Sequence, residues 1–427
     1  MKILLLGASG FIGSEVLARL LDDGHAVTAV ARGHGRRAAG VQWLRVDIAA
    51  ALEPGDWQQA LDGAAAVINC AGALQDGPRD DLHGVHVHGI NALYDACEAR
   101  GVRRVVHVSA IGADRPAQSA FSATKGQAET ALAARTLDWV ILRPAVVVGR
   151  SAYGGSALLR GLSALPVLPR LPQTGRLQLV QLDDLVETIA FFIAEDAPAR
   201  VAVDVASPEV FELDEVLLAF RRWLRLGEPR TLAVPPWLAR LAYVAGDAAA
   251  VLGWRPPVRS TARLEFLRGA VGDPQPWLDL TGIRPLPFAR ALRREPASVQ
   301  ERWFARLYFL KPAAIVILAG YWIATGLISV GPGWESGLHY MRAAGLGAVA
   351  APGVLAAALA DIAIGAGIAF RRSARAALTV GLVLSGGYAI TASLLLPQLW
   401  SDPLGPLLKI VPLMLLMLFT LAVLEGR

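Results

Sequence analysis

Cysteine and charged residues are both scarce in this chain of 427 residues. It contains two cysteines, Cys70 and Cys97, which form no CxxC pair, and this favours a reducing compartment. Charged residues make up 18%, whereas an average soluble protein has about 25%, so part of the chain is expected to avoid water. The net charge is +5, yet no long Lys/Arg run interleaved with aromatic residues occurs, which argues against nucleic acid as a partner.

Residues 1–150 alternate short apolar runs with segments of helical periodicity. The predicted strands are Lys2–Leu6, Ala26–Ala31, Ala66–Cys70, Arg104–Ser109 and Trp139–Arg143, with helical segments such as Gly13–Asp22 and Gly89–Ala99 between them. This alternation predicts βαβ units, and therefore an α/β Rossmann fold with a doubly wound parallel sheet. Residues 151–295 are rich in Pro, Gly and Trp and are predicted to form a small substrate lobe with returns to the same sheet.

Long hydrophobic runs are concentrated after residue 306. The four apolar stretches are Pro312–Val330, Ala343–Phe370, Ala376–Pro397 and Ile410–Leu424. About 20 apolar residues cross a bilayer core as a helix, so we predict a four-helix transmembrane bundle at 307–427, after a juxtamembrane linker at 296–306. The alternative is four buried helices of a soluble bundle, which would normally show a polar face.

Basic residues indicate the orientation of these helices. They form two clusters: Arg302, Arg306 and Lys311 before the first stretch, and Arg371, Arg372 and Arg375 between the second and third. The positive-inside rule places both clusters in the cytoplasm. The apolar run at the N-terminus is too short for a signal peptide. We therefore predict a multi-pass protein of the inner (cytoplasmic) membrane, with the Rossmann domain and the C-terminus in the cytoplasm and the loops 331–342 and 398–406 outside.

A glycine-rich turn, GASGFIG from Gly7 to Gly13, follows the first strand and opens a helix. Its glycines permit a tight turn and a close approach of the backbone, and the helix N-terminus offers free N–H groups to a pyrophosphate. The turn therefore predicts a dinucleotide site with contacts from Gly7, Ser9, Gly10, Phe11, Ile12 and Gly13. A glycine turn without any ligand is the alternative.

The end of the second strand lacks the carboxylate that NAD-preferring sites usually place on the ribose 2′-hydroxyl. Arg32 follows that strand, and Arg36 and Arg37 come shortly after; guanidinium groups suit a 2′-phosphate. NADP(H) is therefore favoured, NAD(H) remains open, and Arg32 is the main candidate, since the other two arginines also fit a solvated loop. Asp47 and Ile48 are expected at the adenine edge, and Cys70, Ala71 and Gly72 beside the pyrophosphate and ribose.

Together these residues resemble the extended or atypical short-chain dehydrogenase/reductase family over about the first 290 residues. The motifs are GASGFIG, Val46-Asp47, Asn69–Gly72, HVSA at 107–110, FSATK at 121–125 and Leu142-Arg-Pro144. The stretches HVSAIGAD and SAFSATKGQAE point to the branch that resembles the NAD(P)-binding accessory subunit of respiratory complex I. The resemblance implies that Lys125 and Pro144 also contact the cofactor.

The same resemblance implies a Ser–Tyr–Lys reaction centre, in which Ser109 and Lys125 match but the tyrosine position is Phe121. Phenylalanine has no ionisable proton and cannot act as a general acid. Three interpretations stay open: Lys125 only binds the cofactor ribose; another residue, such as Tyr153 or His86, supplies the proton; or hydride passes to a quinone-like or flavin-like acceptor whose proton comes from water.

The C-terminal part, residues 307–427, is similar to the DoxX-like membrane family through the segment WSDPLGP at 400–406, Lys409 and Pro412. That resemblance implies a link to quinone-coupled redox chemistry. Asp361 lies inside an apolar stretch, where a carboxylate is costly. It suits a proton relay or a head-group contact, or else an interhelical hydrogen bond or a pair with Lys311.

Two functions are therefore considered from the sequence. The first is a membrane-anchored NAD(P)(H)-dependent oxidoreductase that acts with a lipophilic, quinone-like acceptor. The second is a non-catalytic NADP(H)-binding assembly or redox-sensing module of a membrane complex. No metal site is expected, because His86 and His88 are two residues apart at the start of a predicted helix and do not share a face.

Overall fold

The computed structural model describes the chain except for residues 34–38, 78–79, 117–118, 172 and 425–427. Arg36 and Arg37, two candidates for the 2′-phosphate, therefore lie outside the described residues. The chain divides into two compact units. The first unit comprises Met1–Ala248 and Pro256–Ala305, and the second comprises Ala249–Arg255 and Arg306–Arg427.

The strands belong to the first unit. In chain order they are β1 (Lys2–Leu6), β2 (Ala26–Ala31), β3 (Val41–Arg45), β4 (Ala66–Asn69), β5 (Arg104–Val108), β6 (Asp138–Pro144), β7 (Val146–Val148), β8 (Val167–Arg170), β9 (Leu177–Gln181), β10 (Val201–Val205), β11 (Val210–Phe211) and β12 (Arg230–Ala233). Within the described residues, seven parallel strands form the main sheet in the order β10-β6-β5-β4-β1-β2-β3. The predicted doubly wound α/β Rossmann fold is confirmed.

The helices of the first unit cover the faces of this sheet or build the adjoining lobe. They are α1 (Phe11–Asp22), α2 (Gly89–Arg100), α3 (Ala120–Ala133), α4 (Gly154–Ser163), α5 (Leu182–Phe192), α6 (Leu213–Trp223), α7 (Pro236–Val251, whose last turn belongs to the second unit), α8 (Arg263–Arg268), α9 (Gln275–Thr281) and α10 (Phe288–Arg294). Apolar cores pack on both sides of the sheet, as expected for continuous apolar strands such as β1. β10 adds a chain return from the lobe to the sheet edge.

The second unit consists mainly of α11 (Val299–Val330, which starts in the first unit), α12 (Trp334–Ala343), α13 (Ala350–Ala369), α14 (Ala374–Leu395) and α15 (Ile410–Val423). Among the described residues, three helical segments are long and apolar enough to cross a membrane: Val299–Val330, Gly347–Ala369 and Ala374–Leu395. α15 is apolar but has only 14 residues.

Two segments differ from the predicted boundaries. The expected linker at 296–306 is helical from Val299 onwards, because the sequence up to Lys311 contains no glycine or proline that would end a helix. The expected outer loop at 331–342 contains the amphipathic helix α12.

Candidate cofactor and reaction site

The predicted site residues meet at the carboxyl edge of the main sheet. β1 lies between β2 and β4, and Leu6 is in register with Val30 on one side and Asn69 on the other. The chain therefore leaves β1 towards one side of the sheet and β4 towards the other. Such a topological switch point is where doubly wound sheets bind their ligands.

The glycine turn after β1 has no room for side chains. Gly7 has a positive φ of 72°, and its carbonyl accepts a hydrogen bond from the N–H of Gly10 at 2.8 Å. A Cβ on Gly7 would lie 2.8 Å from the backbone nitrogen of Ala71, and a Cβ on Gly13 would lie 2.1 Å from the Gly7 carbonyl oxygen. Ser9 lies exposed on the rim of this turn. The glycines thus bring the turn, α1 and the end of β4 into close contact.

The start of α1 offers backbone donors to an anion. Its first i→i−4 bond runs from the N–H of Ser14 to the carbonyl of Gly10, at 3.0 Å. The N–H groups of Phe11, Ile12 and Gly13 precede that bond and have no acceptor within an α-helix. Together with the partial positive charge of the helix end, they fit the diphosphate of a dinucleotide.

The predicted adenosine side of the site follows β2 and β3. Arg32 comes directly after β2, and its guanidinium contacts the Asp80 carboxylate at 2.8 Å. Asp47 is exposed and accepts a hydrogen bond from the N–H of Ala49 at 3.3 Å, whereas Ile48 is buried. The structure thus places Arg32 at the end of a strand, but with a carboxylate beside it that the sequence pattern did not indicate.

Lys125, on α3, is buried beneath the loop that follows β4. Its Nζ donates to the carbonyl of Val108 at 2.9 Å, and a Cβ on Gly72 would lie 3.4 Å from the same nitrogen. Burial lowers the pKa of Lys125 to about 8, although Cys70 and Glu129 oppose that shift. Burial also raises the pKa of the Cys70 thiol to about 12, so this cysteine stays protonated at neutral pH.

Phe121 and His86 occupy the place where the resemblance implies a proton donor. Their rings meet edge to face, with centroids 5.8 Å apart. The Nε2 of His86 accepts the N–H of Ala73 at 3.0 Å, so the ring proton resides on Nδ1, which lies 2.8 Å from the Thr124 hydroxyl. Burial, followed by the charge of Lys125, lowers the pKa of His86 to about 2. His86 is therefore neutral, with both ring nitrogens engaged.

Ser109 does not point its proton at open space. Its hydroxyl donates to the buried carboxylate of Glu129 on α3. Arg143 on β6 holds the same carboxylate through Nη2 at 2.6 Å and through Nε at 3.0 Å. In this arrangement Ser109 can still accept a hydrogen bond, but its own donor is taken. Glu129 was not among the predicted site residues.

A second unpredicted group fastens the start of α3. Glu265 on α8 accepts hydrogen bonds from the hydroxyls of Ser119 and Ser122, and Arg268 contacts the Ser122 hydroxyl at 3.0 Å and the Ile111 carbonyl at 3.1 Å. This clamp holds the helix turn that carries Phe121. The sequence offers no local signal for it, because α8 lies more than 130 residues further along the chain.

The remaining predicted residues lie apart from Lys125 in their contacts. Pro144 ends β6, is buried, and its carbonyl accepts the N–H of Ile111 at 3.2 Å. Tyr153 precedes α4 and is 48% exposed, with its backbone N–H bonded to the hydroxyl of Ser156.

In the second unit, Asp361 on α13 is buried and makes an interhelical hydrogen bond. The hydroxyl of Tyr388 on α14 donates to its Oδ1 at 3.5 Å. Lys311 donates to the carbonyl of Leu424 at 3.3 Å. Of the expected roles of Asp361, the interhelical hydrogen bond is the one for which a contact is observed.

Two family matches cover these two regions. Residues 7–161 match the NAD(P)H-binding family, and residues 319–418 match the DoxX-like family. The first match contains the glycine turn and Lys125, and the second contains Asp361.

Curated relatives are similar to the first part of the chain. A ceramide reductase of Caulobacter vibrioides is 26% identical over 194 residues, which are 44% of this chain and 60% of that protein. A 2-alkyl-3-oxoalkanoate reductase of Stenotrophomonas maltophilia is 32% identical over 204 residues, covering 42% and 58%. Subunit 9 of the NADH dehydrogenase [ubiquinone] 1 alpha subcomplex of Dictyostelium discoideum is 24% identical over 160 residues, covering 38% and 44%. The chain thus spans about three fifths or less of each of these relatives.

Solved structures share the fold. The Bordetella bronchiseptica enzyme WbmG, determined in complex with NAD, superposes with a TM-score of 0.54 at 18% identity, over 69% of this chain and 92% of that one. These findings confirm the predicted family resemblances on both sides of residue 306. The chain therefore joins an NAD(P)-binding Rossmann domain of the short-chain dehydrogenase/reductase type to a C-terminal DoxX-like membrane domain.

Proposed function

We propose that the chain is a membrane-anchored, NADP(H)-dependent oxidoreductase that reduces a lipophilic, quinone-like acceptor. The observation that carries this proposal is the packing of Phe121 against a neutral His86 beside a buried Lys125. The site keeps the residues that would hold the cofactor, but the tyrosine position offers no acidic proton.

The residues of the chain would divide the work as follows. The N–H groups at the start of α1 bind the diphosphate, and Lys125 holds the nicotinamide ribose. When bound, NADPH supplies a hydride, that is two electrons and one proton, and becomes NADP⁺. The reduction of a quinone to a quinol then needs one more proton, which water supplies at the membrane surface. No side-chain acid is required for this balance, whereas a simple carbonyl would need one to protonate its alkoxide.

Two other proton sources that the sequence suggested are less suited to the task. His86 uses Nε2 as an acceptor and is fixed as a neutral ring by burial. Tyr153 lies half-exposed at the start of α4. The donor of Ser109 is taken by Glu129, so it is not available to polarise a substrate carbonyl. These contacts support an acceptor that does not depend on a side-chain acid.

The cofactor preference and the membrane arrangement belong to the same proposal. Arg32 at the end of β2 supports binding of a 2′-phosphate, and hence NADP(H) over NAD(H). We propose four spans, with α15 as the fourth; its 14 residues give about 21 Å, so flanking residues must complete the crossing. The basic clusters around Arg302 and Arg371 support a cytoplasmic Rossmann domain in the inner membrane. We also propose the notebook boundaries of function along the chain: cofactor binding in 1–150, substrate lobe in 151–295 and membrane anchor in 307–427.

The decisive experiment is NADPH oxidation by the full chain in lipid nanodiscs, with and without a short-chain quinone. We expect oxidation that depends on the quinone, yields quinol in equal amount, and is lost in Lys125→Ala. An exposed arginine variant, Arg103→Ala, is the matched control and should retain the activity, because Arg103 makes only an exposed pair with Asp138. Binding of NADPH without turnover on any quinone tested would contradict the proposal.

The contacts of Phe121 and Ser109 also favour a second function, a non-catalytic NADP(H)-binding module of a membrane complex. The similarity to a subunit of an NADH dehydrogenase supports it. This function predicts tight cofactor binding without turnover and co-purification with a membrane complex. Restoring the tyrosine with Phe121→Tyr should then create carbonyl reduction, while Phe121→Leu should not. Quinone-dependent turnover by the unaltered chain would exclude this second function.

A further inference from the structure

Helix α7 carries an apolar face that no other part of the described chain covers. Its side chains at the surface include Trp237 at 67% exposed, Leu241 at 56%, Val244 at 54% and Val251 at 78%. These positions are spaced by four, three and seven residues, so they form one stripe along the helix. Between Trp237 and Val251, Arg240 is the one charged residue among the exposed positions.

The opposite face of α7 is the one that packs on protein and makes polar contacts. A Cβ on Gly246 would lie 1.8 Å from the carbonyl oxygen of Val258, so the backbones touch there. Asp247 accepts hydrogen bonds from the hydroxyl of Ser260 and, at 3.4 Å, from Arg259. A helix at a water-exposed surface normally shows the reverse pattern, with its apolar face inward.

The C-terminal end of α7 is fixed to the membrane unit. Within that unit, the indole N–H of Trp254 donates to the carbonyl of Ala369 at 2.7 Å, and the N–H of Arg371 donates to the carbonyl of Leu252 at 3.0 Å. The Arg371 guanidinium also lies over the Trp254 ring, 5.4 Å from its centroid. Ala369 ends α13 and Arg371 lies between α13 and α14, which are two of the candidate spans.

From these observations we infer that α7 is an interfacial helix, which lies in the plane of the bilayer surface with its apolar stripe among the lipid chains. The ends of α13 and α14 mark the membrane surface, and the stripe is connected to that surface through Trp254. From Trp237 to Val251 the helix measures about 21 Å, so the whole stripe stays close to the bilayer. Trp237 and Arg240 suit this position, because tryptophan prefers the head-group region and arginine can extend its charge to water.

This inference rests on the membrane anchor and not on the oxidoreductase activity. Its consequence is that the Rossmann unit has a second hold on the bilayer besides the transmembrane helices. That second hold would keep the substrate lobe at the depth where an acceptor with a long apolar chain presents its head group.

The test uses nitroxide labels on single added cysteines in the full chain, reconstituted in nanodiscs. Leu241→Cys and Val244→Cys report the stripe, and Leu52→Cys is the matched control, since Leu52 is also exposed at 53% but lies in the loop between β3 and β4. We expect labels on the stripe to be accessible to oxygen and shielded from a water-soluble nickel complex, at a depth of about 5–10 Å, while the control is open to nickel.

Two results would overturn the inference. The first is nickel accessibility at 241 and 244 equal to that at 52. The second is dipolar broadening at 241 and 244 that disappears on dilution with unlabelled protein, because it would show that a second copy covers the stripe. NADPH binding measured on the same samples verifies that each variant is folded, and it leaves the question of turnover separate. A label at Ala248, which is also exposed, replaces any variant that fails this binding test.

Discussion

At the scale of single residues, the polar groups around Lys125 are paired with one another. Ser109 bonds to Glu129, which Arg143 also holds, and His86 bonds to the backbone of Ala73. The sequence predicts Ser109 and Lys125 from motif spacing, because these motifs are local. It does not predict Glu129, since a glutamate on a helix normally faces water and only the fold brings β6 against it.

Arg32 permits a direct test of the cofactor preference. We expect Arg32→Ala to weaken NADPH binding by about tenfold or more, because a charged hydrogen bond contributes roughly 1.5–3 kcal/mol, and to leave NADH binding unchanged. Titration of the full chain with each dinucleotide measures both affinities. Arg103→Ala is the control. Equal affinities for NADPH before and after the substitution would remove the basis for an NADP(H) preference.

The two buried histidines predict a loss of stability in acid. Burial lowers the pKa of His86 to about 2 and that of His107 well below its usual value. The unfolded chain takes up protons below about pH 6.5 while the folded chain does not, so stability rises with pH through this range and is lost as the pH falls. We expect roughly 1 kcal/mol per pH unit for each histidine below pH 6.

Pulse proteolysis in urea at pH 7 and pH 5, applied to the first unit in the full chain, measures this loss. His86→Asn should flatten the pH dependence, whereas the same substitution at the exposed His83 should leave it as it is. An identical slope in the wild type and in His86→Asn would show that this ring is not responsible.

At the scale of elements, the long apolar strands are predicted well and the marginal ones are not. β1 and β2 have the predicted boundaries, because buried parallel strands read as continuous apolar runs. β3 and β10 were not predicted. β3 is half-exposed and carries Arg45, and β10 contains Asp204, so neither gives an uninterrupted apolar run.

Helix α1 depends on the absence of a side chain at Gly13. An added methyl group would overlap the Gly7 carbonyl oxygen, which lies 2.1 Å from the ideal Cβ position. We expect Gly13→Ala to push α1 away from the turn and to reduce dinucleotide affinity by at least about tenfold, because the helix donors move out of line with the diphosphate. Gly55→Ala is the matched control, since no atom lies within 4 Å of a Cβ there.

Calorimetric titration with NADPH compares these two variants with the wild type. Both proteins should still be recovered from membranes. If Gly13→Ala binds the cofactor as tightly as the control does, the glycine turn is not the diphosphate site.

At the scale of the whole molecule, the sequence predicts the division near residue 306 but not the short segment Ala249–Arg255, which belongs to the second unit. Hydropathy along the chain reveals the long helices. It cannot reveal that Trp254 bonds to Ala369, because that contact joins residues 115 positions apart.

The proposed topology can be tested with single cysteines and a membrane-impermeant thiol reagent. We expect Arg372→Cys to react only from the cytoplasmic side and Ser336→Cys and Ser401→Cys only from outside, because the basic loop stays in the cytoplasm. The wild type gives the background, since Cys97 is buried and Cys70 is partly buried. Reaction of Arg372→Cys and Ser336→Cys from the same side would contradict the arrangement of the first two spans.

The segment Ala249–Arg255 means that the backbone passes between the two units three times: near residue 248, near 255 and near 305. A protease that nicks the chain once, for example between residues 295 and 298, would therefore leave the N-terminal piece still carrying its own Trp254 strap. Such a nicked protein should sediment with membranes as one particle, and its two fragments should separate only on a denaturing gel. A soluble fragment of the dehydrogenase-like part would consequently have to be redesigned around residues 249–255, and simple truncation would expose an apolar end.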